Sequence, residues 1–220
     1  MSALARNTAA ALAKHALDRV LAAVALIVFS PILAAIALWI LFETGRPVLF
    51  AHSRVGKDGR VFRMYKFRTM VQDAIAIGQA QKISEDPYGH LPDDPRITRS
   101  GRFLRRTSLD ELPQLLNVVR GEMSLVGPRA DIVEQVANYT ESDRRRLAVR
   151  PGITGLAQVN GRDAIPWPQR FELDAWYIEH WSPALDAKIV LRTALDLFRE
   201  RPEPIVDEMN IARAKARQNT

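Results

Sequence analysis

The chain has no cysteine in its 220 residues. That absence excludes a disulfide framework, a thiolate nucleophile, a cysteine zinc site and an iron–sulfur cluster. Any chemistry falls to carboxylates, lysine, arginine, hydroxyls and four histidines. Internal repeats, low-complexity stretches and a linker that would mark a second domain are also missing. No Rossmann-type Gly-rich turn occurs, and Asp93-Asp94 is not a spaced D-x-D, which disfavours an ordinary nucleotide-sugar glycosyltransferase. What is abundant is hydrophobic and basic: 47% of residues are hydrophobic, the formal charge is +6 and the sequence pI is about 10.0. A basic balance points to an anionic partner, either nucleic acid, an anionic membrane surface or a phosphorylated small molecule.

The hydrophobic share is unevenly spread. From Val20 to Phe42 the chain carries no charge, and only Ser30 and Pro31 interrupt the apolar run. As one helix it would be roughly 34 Å long, enough for the hydrocarbon core of a bilayer. The run is too long for the h-region of a cleavable signal peptide. Pro31 near its midpoint removes a backbone hydrogen bond and predicts a kink just after Ser30. Arg6, Lys14 and Arg19 precede the run, while Arg46, Arg54, Lys57 and Arg60 follow it. Basic flanks favour the cytoplasmic side, and both ends carry them. A helix over about 16–43 that enters one leaflet, bends at Ser30-Pro31 and returns satisfies both flanks.

The rest reads as a compact domain, mostly helical, so the predicted class is α+β with helix dominant. His52–Val55 and Val61–Phe67 have β character around Gly56-Lys57-Asp58-Gly59, a hairpin turn. Phe62, Met64, Lys66 and Arg68 would share one face of the second strand. Ala74–Asp94 is polar and turn-rich and reads as a loop. Helices are expected over Arg102–Arg106, Leu112–Arg120, Asp131–Arg146, Phe171–Trp181 and Asp186–Arg199. In the last of these an apolar stripe of Val190, Leu191, Ala194, Leu195 and Phe198 runs beside Lys188, Arg192 and Arg199, compatible with an in-plane amphipathic helix or with core packing. Trp176 and Trp181 suit either setting. The predicted division is 1–45 for the N-terminal membrane segment, 46–200 for the compact domain and 201–220 for a polar tail.

The most informative stretch is Arg105-Arg106-Thr107-Ser108-Leu109-Asp110-Glu111-Leu112-Pro113-Gln114. A solvated charge cluster is one reading, and a Ser108/Glu111 capping box is another. Pro113 weakens the box, because it would fall where an intrahelical donor is needed. With Asp110 as N-cap, Pro113 takes the third helical position, and the two carboxylates stand at a helix N-terminus that also attracts phosphate. Gly127-Pro128-Arg129 and the arginine-bracketed run from Arg150 to Arg162 have the same flavour. Guanidinium groups bind phosphate oxygens bidentately, and glycines admit close backbone approach to a ligand.

The ordered set of a Ser-Pro-broken apolar helix, Lys66-Phe67-Arg68-Thr69-Met70, Ser108–Gln114, Gly127-Pro128-Arg129 and Arg150-Pro151-Gly152-Ile153-Thr154-Gly155 resembles the bacterial sugar transferases. These are monotopic polyprenyl-phosphate sugar-1-phosphate transferases, and the resemblance covers about Lys14 to Glu200 in the minimal, catalytic-domain-only form. It implies that Asp110 attacks the sugar-linked phosphate of a UDP-sugar, releases UMP and passes the phosphosugar to undecaprenyl phosphate, with Glu111 as catalytic partner and Mg²⁺ ligand. It also implies phosphate-binding or site-ordering roles for Lys66, Arg105 and Arg129, and by extension for Arg68, Arg150 and Arg162. The stretch Asn160–Trp167 with Phe171–Asp174 is most similar to the branch that uses UDP-diacetylbacillosamine. The implied setting is the cytoplasmic face of the bacterial inner membrane, with phospholipid as a partner, no nucleic acid, and a homodimer allowed. The alternative is a non-enzymatic, membrane-anchored protein that binds anionic lipid or nucleic acid. It has the charge in its favour but no nucleic-acid motif, and its bases are interleaved with acids.

Overall fold

The computed structural model describes residues 8–80, 94–161 and 165–196. In chain order the elements are α1 (Thr8–Val28), α2 (Ser30–Thr44), β1 (Leu49–Val55), β2 (Val61–Phe67), α3 (Ala74–Ala80), α4 (Arg99–Thr107), a 3₁₀ turn (Leu109–Gln114) and α5 (Leu115–Arg120). There follow β3 (Ser124–Val126), α6 (Val133–Ala137), a second 3₁₀ turn (Asp143–Ala148), β4 (Gly152–Thr154), α7 (Leu156–Val159), α8 (Trp167–Glu179) and α9 (Pro183–Asp196).

The apolar run forms two helices bent by 62°. The break is at Phe29, just before the expected position, because Pro31 sits in the first turn of α2, where its missing N–H costs nothing. Ser30 Oγ donates to the Ile27 carbonyl at 2.7 Å and shields an acceptor at the bend. No single described helix is long and apolar enough to cross a membrane; by length and composition the bent pair together is. Much of the pair's apolar surface is left uncovered: Leu17, Val20, Val24, Ile27, Val28, Leu38 and Phe42 are exposed, Phe42 to 84%.

Its inner edges are packed. Ala22 joins Phe62, Met64, Leu115, Val118 and Met123, and Ile36 and Ile40 of α2 join Phe67 and Leu104. Near the start of α1, Lys14 pairs with Asp186 of α9 at 2.6 Å and with Asp18 at 3.3 Å, and Ser124 donates to Asp18. A third cluster, Val126, Val149, Leu156, Val159, Leu173, Tyr177, Ile178 and Ile189, holds α7, α8 and α9 over a short sheet.

That sheet is a parallel pair, Ser124 opposite Gly152 and Val126 opposite Thr154. The β1–β2 hairpin is antiparallel, with Val55 opposite Val61 and Asp58 left-handed at φ 57° in the turn. Several sequence expectations change. Ala74–Ala80 is helical rather than loop, and residues 81–93 lie outside the described residues. The Asp131–Arg146 helix is instead α6 and a 3₁₀ turn. The break comes where Thr140 donates its N–H and hydroxyl to Asp143 Oδ2, a local bond that competes with the helix ladder. The expected Leu112–Arg120 helix is 3₁₀ up to Gln114, and α8 begins earlier than Phe171, with Pro168 in its first turn. On α9, Val190, Leu191 and Leu195 are exposed while Ile189 is buried; Phe198, Arg199 and the 201–220 tail lie outside the described residues. Trp176 and Trp181 pack against the third cluster, with Trp181 Nε1 donating to Asp186 at 3.0 Å.

Candidate active site

The carboxylates lie on the 3₁₀ turn between α4 and α5. Ser108, left-handed at φ 56°, ends α4 and reverses the chain into that turn. Asp110 is therefore inside the first turn and is not an α-helical N-cap as the sequence suggested. Pro113 lies inside this turn and supplies it no backbone donor. Asn117, fully buried on α5, then locks the turn to the hairpin. Its Nδ2 donates to the Arg63 carbonyl and to Glu122, both at 2.7 Å, and its Oδ1 accepts from Tyr65 N–H at 3.1 Å.

Tyr65 is the neighbour of Lys66, so the same lock places the lysine. Lys66 Nζ is 2.8 Å from Glu111 Oε1 and 3.9 Å from Asp110 Oδ2. Arg129 Nη2 reaches the same Glu111 oxygen at 3.0 Å. Burial raises the Asp110 pKa and the adjacent Glu111 adds to the rise, against the opposing pull of Lys66, Arg105 and Arg129. Glu111 goes the other way: burial would raise its pKa, but Arg129 and Lys66 outweigh it and hold the carboxyl well below the usual range. The result is one anchored anion beside a buried, less committed carboxylate. Arg105 contributes from the last turn of α4, its Nε bonded to Thr69 Oγ1 at 3.0 Å, and it is one of the charges that Asp110 feels.

Arg129 is held from behind. The Arg146 guanidinium, buried under Phe171 with its centre 4.5 Å from the ring centroid, donates to the Arg129 carbonyl at 3.1 Å, to Asp174 at 2.7 Å and to Asp131. Tyr139 completes the network with a hydrogen bond to Asp131. The sequence reading missed Arg146, Asp131 and Asp174. The one available signal was Asp174 between Leu173 and Tyr177, a carboxylate on the apolar face of a helix. Asn117 gave no such signal.

Lys66, Arg105, Arg129, Asp110 and Glu111 thus converge, whereas other expected phosphate ligands do not. Arg68 is buried and turned toward α2, where its Nη2 donates to the Thr44 carbonyl at 3.0 Å and the Gly45 carbonyl at 2.7 Å. The strand ends at Phe67, so the alternation that would place Arg68 beside Lys66 no longer applies. Arg150 faces α1, where its electrostatic neighbours are Arg19 and Asp18 rather than the two catalytic candidates. Arg162 lies outside the described residues. The glycines expected to admit a ligand admit backbone instead. A Cβ on Gly152 would stand 2.1 Å from Gly127 N, and one on Gly155 would stand 2.2 Å from Gly127 O.

Residues 9–200 match the profile described as bacterial sugar transferase. The chain belongs to that family. This bacterial sugar transferase is 48% identical over 151 residues to the uncharacterized sugar transferase EpsL of Bacillus subtilis, covering 69% of this chain and 70% of that one. It is 42% identical over 197 residues to the UDP-glucose:undecaprenyl-phosphate glucose-1-phosphate transferase of Escherichia coli, covering 85% of this chain and 40% of that one. It is 39% identical over 195 residues to the undecaprenyl-phosphate galactose phosphotransferase of Salmonella typhimurium, covering 84% and 40%. The transferase therefore spans less than half the length of the latter two relatives.

Proposed function

We propose that the protein transfers a sugar 1-phosphate from a UDP-sugar to undecaprenyl phosphate, through a covalent phosphosugar on Asp110. The observation that carries this reading is the asymmetry of the dyad. Glu111 is fixed as an anion by Lys66 at 2.8 Å and Arg129 at 3.0 Å, while Asp110 is buried with the Lys66 ammonium farther off, at 3.9 Å. An Asp110 oxygen attacks the sugar-bearing phosphorus, and the bond from that phosphorus to the bridging oxygen breaks, so UMP leaves with the electron pair. A phosphate oxygen of undecaprenyl phosphate then attacks the same phosphorus, freeing Asp110 and giving the undecaprenyl-diphosphate sugar. Lys66, Arg105 and Arg129 stabilise the charge that builds on the transferring phosphoryl oxygens. The two steps give ping-pong kinetics.

A divalent cation fits this donor set. Both basic contacts to Glu111 fall on Oε1, which leaves Oε2 for an ion, and Mg²⁺ needs only one or two carboxylates beside substrate phosphates and water. Glu111, with Asp110 adjacent, would hold it, and when bound it neutralises charge on the diphosphate. Among the described residues no cluster of three or more His, Asp or Glu forms an all-protein cage.

The bent α1–α2 pair supports a monotopic placement: an exposed apolar wedge entering one leaflet, with the catalytic domain on the cytoplasmic face of the inner membrane at headgroup level. That level is where a soluble nucleotide sugar and a lipid phosphate can meet. The relatives' names carry glucose and galactose, while the stretch after Asn160 resembles the diacetylbacillosamine branch. A donor panel of UDP-glucose, UDP-galactose, UDP-N-acetylhexosamines and UDP-diacetylbacillosamine, scored by UMP release with undecaprenyl phosphate, tests the reading and picks the sugar. No UMP from any donor overturns it.

A further inference from the structure

The far end of the membrane-inserting pair is fastened to the elements that carry the cationic half of the site. Glu43, in the last turn of α2, spends both carboxylate oxygens on the N-terminus of α4: Oε1 accepts from Arg99 N–H at 2.8 Å and Oε2 from Ser100 N–H at 3.0 Å. Thr98 Oγ1 takes the next amide, Gly101, at 2.9 Å. The first amides of a helix have no intrahelical partner, so a carboxylate there satisfies two donors and meets the positive end of the dipole. The cap comes from a different element, 56 and 57 residues away in sequence, and so fixes where α4 sits relative to α2.

Arg68 makes the reciprocal contact. Its Nη2 donates to the Thr44 carbonyl, the Thr44 hydroxyl and the Gly45 carbonyl, which closes the C-terminal end of α2. The residue is 6% exposed, its Nε and Nη1 have no hydrogen-bond partner among the described residues, and its Nη2 bonds go to the C-terminal, negative end of the α2 dipole. Its chain neighbour Thr69 accepts Thr98 N–H on its carbonyl at 3.1 Å and Arg105 Nε–H on its hydroxyl at 3.0 Å. The contact is tight: a Cβ on Gly101 would stand 2.1 Å from the Thr69 oxygen. Ile40, Phe67 and Leu104 fill the space between the three elements.

Resting on the transferase reading above, we propose that Glu43 and Arg68 are positioning residues that transmit the seat of the bent membrane pair to Arg105 and Lys66. Arg105 lies at the opposite end of α4 from the Glu43 cap, and Lys66 lies two residues before Arg68. Loss of the Glu43 cap on α4 therefore moves Arg105, and loss of the Arg68 contact to the end of α2 moves Lys66, each relative to Asp110. Displacement by about 1 Å of a group that orients phosphate can cost up to about a hundredfold in rate.

The test is a double-mutant cycle on the full-length chain in lipid nanodiscs, reading UMP release, membrane association and thermal unfolding. Glu43→Ala is expected to lower kcat/KM at least tenfold with membrane association unchanged. Glu43→Gln is expected to recover most of the activity through the one oxygen it keeps, and Arg68→Lys to be intermediate. Glu43→Ala combined with Arg105→Gln is expected to be no slower than Arg105→Gln alone, because the cap acts through Arg105. Losses that multiply in the double variant overturn the proposal, as does a Glu43→Ala enzyme within twofold of wild type, or a loss that follows the fall in unfolding temperature across all variants. Should Glu43→Ala not fold, the same cycle is run with Glu43→Gln and Arg68→Lys. A wild-type chain that releases no UMP overturns the transferase reading itself. An active wild type with multiplicative losses overturns only the positioning role.

Discussion

Lys66 Nζ contacts Glu111 at 2.8 Å and stands 3.9 Å from Asp110, so a single ammonium near the end of the hairpin's second strand serves both members of the dyad unequally. The unequal service keeps Glu111 anionic and leaves Asp110 to be tuned by burial. Activity should report that tuning.

The proposed nucleophile would act as a carboxylate, and burial raises the Asp110 pKa above the ordinary aspartate value. UMP release should therefore climb with pH along an acid limb set above that of an exposed aspartate, because the reactive form accumulates only as pH passes the raised pKa. Lys66 pulls that pKa down, so Lys66→Met should shift the limb to higher pH as well as lower its plateau. The pH dependence of kcat/KM for the donor in wild type and variant checks this; a limb that stays in place or moves down counts against it.

Arg146 separates two buried carboxylates and supports the Arg129 carbonyl. Removing one partner of such a network costs about 3–5 kcal/mol, so Arg146→Met should lower the unfolding temperature by on the order of 10 °C. Burial raises the Asp174 pKa to about 6, and Arg146 opposes that rise. An acid whose folded pKa is raised loses stability as pH rises through it, so the deficit of Arg146→Met should be larger at pH 8 than at pH 5.5. Thermal unfolding at the two pH values measures it, and the KM for the UDP-sugar should rise as Arg129 loses its support.

The parallel β3–β4 pair depends on glycine. A Cβ on Gly152 meets the Gly127 nitrogen at 2.1 Å and the Thr154 oxygen at 2.3 Å, and neither can move aside without shifting a strand. Overpacking of this kind costs about 1–3 kcal/mol or more. Gly152→Ala should unfold at lower denaturant concentration than wild type, and should misplace Arg129, which follows β3.

These particulars show which parts of the molecule were legible in sequence. The bend at Phe29-Ser30, the Asp58-Gly59 hairpin turn and the neighbouring pair Asp110-Glu111 are set by local chemistry, and each appears near its expected place. Arg68 went astray because its partners, Thr44 and Gly45, lie more than twenty positions upstream, and strand alternation says nothing past the last strand residue. The helix expected over Asp131–Arg146 failed because the Thr140–Asp143 turn overrides helical periodicity and because Arg146 is drawn into a buried network with Asp131 and Asp174. The glycine-rich run was recognised, but its glycines serve strand packing rather than a ligand. Long-range pairing, which has no local signature, decided the Arg68, Arg146 and glycine cases, whereas the Thr140–Asp143 turn is a local contact that helical periodicity masked.

Topology can be read directly in a chain free of cysteine. Ala13 and Lys57 are both exposed, on either side of the bent pair. Gly45 is the less suitable site because its φ of 73° strains any other residue. Ala13→Cys and Lys57→Cys should both react with a membrane-impermeant thiol reagent from the cytoplasmic side of oriented vesicles. Labelling from opposite sides contradicts a re-entrant insert.

The central claim is that Asp110 carries the phosphosugar, and the most direct measurement is intact-protein mass followed by peptide mapping after mixing the enzyme with its UDP-sugar and no undecaprenyl phosphate. The expected result is a mass increase of one sugar phosphate on the peptide containing Asp110, matched by UMP release, discharged on adding undecaprenyl phosphate and absent in Asp110→Asn. UMP release that needs the acceptor from the outset, with no adduct on that peptide, would contradict it.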